Sequence, residues 1–382
     1  MNCATAQRMA LAGMLLQFAL NGVAEAAEPA LDWEPRQTWV FVVGVLKWEH
    51  EDLFQGMPGA QADRRDHQLV EFFRTAGVPD KQITYLQDAD ATKARIEKKF
   101  AQLLDQTKEG DLLIFYYCGH GSRNVRNGGT SFANYDASST PGSMWDVASI
   151  FTTIDQRFHG SRALLLADCC HSGALYDQAH PRRDGRIAYS VVTSSYSHNT
   201  STGRWTFTDS VLAGLRGEGT VDQDGDGAID LAELARYCEL EMAFGEGQKS
   251  MFTAGKKFSA KAKFARVKEP APKGAGERME VEWKGQWYKA KSIAVDGERR
   301  KVHYLNYQDS WDEWVGPDRL RPYQPPLFAE GAKVQVQWET DRKWYPATIL
   351  KAWYGMHFIR YDGYDASWDE WIGPGAIRKR EE

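Results

Sequence analysis

Cysteine is scarce in this chain, with five among 382 residues, and that excludes a small scaffold stapled by disulfides. Long apolar runs are missing as well. None approaches the roughly 20 residues a helix needs to cross a bilayer, so no transmembrane segment is expected. Neither sign of charge dominates: 47 basic and 52 acidic residues leave a net charge of −5, which argues against a general nucleic-acid binder. Aromatic residues are abundant, at 14 Trp, 16 Tyr and 17 Phe, and the chain can bury the cores of two or three domains. Its charge is unevenly spread. Residues 248–382 hold 25 basic and 19 acidic residues, so the first 247 carry the whole acidic excess. Two chemistries share one chain.

Residues 1–26 read as an export signal: a polar start with Arg8, an apolar run from Met9 to Leu20 too short to span a membrane, and small residues around Glu25. A buried first helix or a misassigned start is the alternative. Export predicts a periplasmic or extracellular protein.

Downstream, Trp39–Leu46 is a continuous β-rich apolar run, as befits a strand buried on both faces. Further strands are expected at Ile83–Leu86, Asp111–Tyr117, Arg162–Ala167 and Ile187–Thr193. Helices are expected over 60–76, 92–106 and 145–158. This alternation predicts an α/β fold with a mostly parallel sheet covered on both faces, where function gathers at the carboxyl ends of strands. Residues 33–268 form that domain. A Pro/Gly/Ala linker follows over 269–277, and the basic stretch before it reads as a solvated connector. Beyond the linker the sequence repeats itself: HYLNYQDSWDEWVGP (303–317) is answered by RYDGYDASWDEWIGP (360–374). Each copy is short alternating strands, predicting two small β-barrels at 278–323 and 330–380, with Trp314 and Trp371 in their cores.

Two strand ends carry chemistry. Tyr117 runs into Cys118-Gly119-His120-Gly121-Ser122, and Ala167 into Asp168-Cys169-Cys170-His171-Ser172-Gly173. A thiol nucleophile needs an imidazole to manage its proton and a glycine-rich turn that lets an acyl group approach the backbone. Alone, either residue is more often structural. Paired on neighbouring strand ends, they point to catalysis. These two motifs, with MPGAQAD (57–63), resemble the metacaspases and bacterial caspase-like peptidases over residues 38–245. The resemblance implies a caspase-like three-layer sandwich followed by two SH3-like barrels. It also implies Cys170 as nucleophile, His120 as general acid and base, and the amides of Gly121 and Cys170 as an oxyanion hole. Asp168 and Asp63 match acidic positions of the specificity pocket, so the expected substrate is a protein or peptide cut after Arg or Lys. A catalytically inert scaffold whose barrels do the binding is the competing reading. Nucleic-acid binding by the basic repeats is the weaker third.

Asp222-Gln-Asp224-Gly-Asp226-Gly227-Ala228-Ile-Asp230-Leu-Ala-Glu233 fits the EF-hand loop: carboxylates at positions 1, 3, 5, 9 and 12, glycine at 6 and a carbonyl from Ala228 at 7. Calcium is the expected cofactor, and a solvated acidic turn the alternative. The repeats resemble Tudor-knot or chromo-barrel modules. That implies candidate aromatic cages at Tyr288, Tyr304, Tyr307 and Trp311, and at Tyr345, Tyr361, Tyr364 and Trp368, for a methylated cation, a peptide or a polymer. Otherwise these rings are simply the core of a very small domain.

Overall fold

Continuous apolar runs become strands with no solvent-facing side. The computed structural model describes residues 30–124, 128–339 and 341–380; the expected export signal lies outside the described residues. Strands β1 (Thr38–Gly44), β2 (Ile83–Gln87), β3 (Leu112–Cys118), β4 (Arg162–Asp168) and β5 (Ala188–Thr193) are parallel, and β6 (Met251–Thr253) runs antiparallel to β5. Their order is β6-β5-β4-β3-β1-β2. Helices cover both faces of the sheet, the longer ones being α1 (Arg65–Thr75), α2 (Lys93–Leu104), α3 (Val147–Arg157), α4 (Thr206–Leu215) and α5 (Leu231–Glu241). Alternate strand residues serve opposite layers. Val40, Val42, Ile114 and Tyr116 pack with α1, α4 and α5, while Phe41, Val43, Phe115 and Tyr117 pack with α2 and α3. Each such side chain contributes roughly 1.5–3 kcal/mol by leaving water.

The helix expected over 60–76 is in fact two, a short one at Pro58–Ala62 and then α1, with a break at Asp63 and Arg64. Arg64 causes the break. Its guanidinium turns inward to the fully buried carboxylate of Asp66 (2.6 Å), the Gly44 carbonyl (2.9 Å) and Asp88 (2.7 Å), a pairing that apolar periodicity cannot register. The linker also differs from a free tether. Lys268 donates to the Gly217 carbonyl at 3.1 Å and Gly276 to that of Ser292 at 2.8 Å, so the segment lies against both neighbours. Nor is the basic stretch before it a solvated connector throughout, since Lys263–Arg266 pairs as a strand with Ala228–Asp230.

Two five-stranded antiparallel sheets come next, over residues 278–322 and 333–379. Each curls through a bulge in its long second strand, at Ser292/Ala294 and Ile349/Lys351. Val281, Ala290 and Val302 fill the first core, and Val336, Ala347 and Ile359 the second. Trp314 is not in its core. It is 43% exposed, beneath the Arg299 guanidinium at 5.5 Å. Trp371 is half-buried against Phe358 rather than in the barrel interior.

Candidate active site

Pairing of β3 with β4 sets Cys118 opposite Asp168, so the chain beyond each strand emerges at the same sheet edge. Positions 119 and 121, just past β3, admit only glycine. A Cβ on Gly119, whose φ is +149°, would lie 2.7 Å from both the Tyr117 hydroxyl and the Val45 carbonyl; one on Gly121 would lie 1.9 Å from the Cys170 carbonyl oxygen. Backbone contact between the two strand ends is therefore open only to residues without a side chain.

The His120 ring packs on Trp48 (centroids 4.5 Å apart) and Phe54 (5.9 Å), and Nε2 lies 2.9 Å from the Gln55 carbonyl oxygen. A carbonyl only accepts, so Nε2 carries the proton and Nδ1 is the basic nitrogen of the neutral ring. Cys170 is half-buried. Its Sγ accepts from the Ser201 amide at 3.1 Å and lies 3.6 Å from the Ser201 carbonyl. Burial pushes this thiol up, the Ser201 backbone pulls it down, and the Glu339 charge raises it again, leaving it above the ordinary range. The resting sulfur is thus a thiol, and it needs a base to act. No hydrogen bond joins it to His120 among the described residues. His171, next in the chain, sits at φ +59° with Nδ1 3.1 Å from the Ser197 carbonyl, a strained backbone immediately after the thiol.

Asp168 forms the floor of a recess between Leu46, Met57, Cys118, Gly203 and Trp205. It accepts from the Thr208 hydroxyl at 2.6 Å, and burial pushes its carboxyl up to about 7. The recess, which Arg204 also lines, has a volume of only about 20 Å³. Asp63 is elsewhere. It is exposed and salt-bridged to Arg65, which also holds Asp209, and it does not line the recess. The family resemblance set Asp63 in the pocket with Asp168, whereas here its carboxylate is taken up by Arg65. Sequence reasoning missed Ser201, Thr208 and Gln55, which act here through backbone atoms or a lone hydroxyl and leave no motif.

The family model of the caspase domain (Peptidase_C14) matches residues 42–260, more than half of the chain. The chain belongs to the caspase-domain family of cysteine peptidases. An Agenet domain model, a Tudor-like module, matches residues 277–325, the first barrel. Metacaspase-4 of Arabidopsis thaliana is 29% identical over 119 residues, covering 29% of this chain and 28% of that protein. Metacaspase-2 of Trypanosoma brucei brucei is 28% identical over 127 residues, 29% of this chain and 35% of that one. The chain thus spans about a third or less of the length of these relatives. Among solved structures, caspase-1 of Spodoptera frugiperda is 12% identical, with a TM-score of 0.39 over 58% of this chain and 87% of that one.

Away from Cys170 and His120, the acidic loop brings carboxylate oxygens of Asp222, Asp224 and Asp226 within 4.8 Å of one another. Lysines from the neighbouring strand region answer them: Lys263 pairs with Asp226 at 2.7 Å, and Lys261 with Asp230 at 2.8 Å. Glu233 spends its oxygens on the amides of Gln223 (2.8 Å) and Asp230 (3.0 Å), and Asp230 caps α5 in return. Both barrels bring together all four of their expected cage rings. Each cage also has a wall the sequence reading missed, Trp283 in the first and Trp338 in the second. The repeat hid them. Its hairpin is two residues longer in the second copy, so the two tryptophans fall out of alignment.

Proposed function

We propose that this protein is a cysteine endopeptidase that cuts after Arg or Lys, with Cys170 as nucleophile and His120 as its proton partner. One observation carries the reading: a buried carboxylate, Asp168, two residues before a half-buried thiol, at a strand edge where glycine alone lets Gly121 meet Cys170. Nδ1 of His120 takes the thiol proton, and Sγ attacks the substrate carbonyl. The amides of Gly121 and Cys170 receive the developing oxyanion, where such donors typically contribute about 2.7–4 kcal/mol. His120 returns the proton to the leaving amine, and water then releases the acyl group. The Asp168 carboxylate, once ionised, selects a cation. The test is a fluorogenic Arg-terminated peptide with its Asp-terminated counterpart. Cleavage of the first, lost in Cys170→Ala and in His120→Ala, supports the reading; a preference for the second, or cleavage by Cys170→Ala, ends it.

The acidic loop suits a divalent cation, because three carboxylates this close repel one another and two lysines do not neutralise five acids. Asp222, Asp224 and Asp226 would hold calcium, with Asp230, Glu233 and the Ala228 carbonyl completing an oxygen set. The loop leads directly into α5, which packs beneath the sheet, so calcium there would stabilise the caspase domain. The cages suit a methylated or free ammonium: in the second, Trp338 lies 5.6 Å from Tyr361 and 5.9 Å from Trp368, spacing that offers ring faces to one cation.

A further inference from the structure

The second barrel is docked on the loop that covers the thiol. His198 Nδ1 lies 2.7 Å from the Asp369 carbonyl. The Asn199 amide donates to Glu370 (2.9 Å) and to the Trp371 carbonyl (3.0 Å), and accepts from the Trp371 amide (3.0 Å). Thr200 donates to Glu339 at 2.7 Å. The next residue, Ser201, gives its amide to Cys170 Sγ. A cleft of about 420 Å³ opens along this junction, with His171 and Thr200 on one side and Trp338, Glu339 and Trp368 on the other. Trp338 and Trp368 also wall the second aromatic cage, of about 360 Å³, alongside Asp341. Trp338 and Trp368 are thus shared walls of the two hollows, and the first of these reaches His171, the residue after Cys170. The first cage, of about 320 Å³, is lined by its own barrel alone.

We infer that the second barrel carries a subsite of the peptidase: its cage receives a cationic side chain of the same polypeptide whose bond is cut at Cys170. The inference rests on Cys170 acting as a peptidase nucleophile. Aromatic faces attract an ammonium or guanidinium, and Asp341 sits beside the cage rings; the cleft carries Arg123 and Arg342 as well as Glu246, Glu339 and Glu370, so the rings and Asp341 carry the preference for a cation. A preferred substrate then has two basic side chains, one before the scissile bond and one several residues away along the chain. The shared requirement is a cation on a flexible stem, which Lys, Arg and methylated Lys all meet.

The experiment uses the full chain and matched peptides. Each has Arg before the scissile bond and, at a scanned spacing on either side, Lys, trimethyllysine or Ala; a short Arg peptide serves as reference. At the productive spacing, kcat/KM for a second-cation peptide should exceed that of its Ala partner by about tenfold, which is within reach of a desolvated cation–π contact. Trp368→Ala should bring that ratio near one and Trp368→Phe should keep most of it, separating lost ring contact from a disturbed barrel. The relative rates of Lys and trimethyllysine peptides identify the cation preferred. A wild-type ratio near one at every spacing, or an undiminished ratio in Trp368→Ala, overturns the subsite while leaving the peptidase reading intact. Failure to cut even the short peptide removes the reading itself, and the subsite with it.

Discussion

On the proposed reading, Asp168 ties specificity to pH. Buried beneath the recess and titrating near 7, it is roughly one-tenth ionised at pH 6 and nine-tenths at pH 8. Only the ionised form attracts a cationic side chain, and kcat/KM reports the free enzyme. Selectivity for Arg over citrulline, its neutral isostere, should therefore rise roughly tenfold between pH 6 and 8. Expressing it as a ratio cancels the titration of Cys170 and His120, which serve both substrates. Asp168→Asn should remove the pH dependence and lower kcat/KM for the Arg peptide by about 2–5 kcal/mol, roughly 30- to 4,000-fold, the usual cost of truncating one partner of a buried charge pair.

The same carboxyl destabilises the empty enzyme. Its folded pKa lies above its ordinary value of 3.8, so between about pH 4 and 7 the folded state holds a proton that the unfolded chain has lost. This stabilisation is complete below pH 4 and is lost as pH rises through 7, on the order of 4 kcal/mol at most. At pH 8 Asp168→Asn should thus melt at a higher temperature than wild type while failing to select Arg. A selectivity ratio that is flat from pH 6 to 8, together with a variant no more stable than wild type at pH 8, would refute the assignment of Asp168 as a buried anion.

Gly121→Ala should lower cleavage at least 100-fold or prevent folding, because its Cβ would meet the Cys170 carbonyl at 1.9 Å; wild-type activity and melting together would count against the contact. Saturating calcium should raise the melting temperature relative to chelator. Lys263→Ala should tighten calcium binding, since that ammonium sits 2.7 Å from Asp226; isothermal titration showing no binding to either protein would dismiss the loop as a metal site. Glu370, pushed up to about 7 by burial, favours docking of the second barrel below its ordinary pKa of 4.5 and loses that contribution as pH rises through 7. Wild-type melting temperature should accordingly fall between pH 5 and 8 by more than that of Glu370→Gln, and equal slopes would show that the carboxyl is not buried in solution.

Much of the caspase domain was legible because its strands have no wet face. Val40 to Val43 and Leu113 to Tyr117 serve two helical layers at once, so their sequence is unbroken apolar text and cannot be mistaken for a surface strand. The meeting of the two strand ends was legible for a related reason. Close approach of two backbones leaves glycine as the only admissible neighbour, and Gly119 and Gly121 print that requirement into the sequence. The barrels were legible through repetition, and the one place where their two copies differ in length is where Trp283 and Trp338 were lost.

The features that stayed hidden depend on which groups meet in the fold, near or far in sequence, and not on any repeating pattern. Asp63 looks like a pocket carboxylate until Arg65 is seen beside it. Trp314 looks like core until its strand is found facing outward under Arg299. Most telling is the loop from His198 to Ser201, which in the sequence is an ordinary run of polar residues. Three of its side chains are claimed by the second barrel, more than 130 residues away, and the backbone of the fourth by the thiol. No periodicity or motif encodes such a segment, because each residue answers to a different element. For the same reason it is the part of the molecule that ties a distant β-barrel to the Cys170 sulfur.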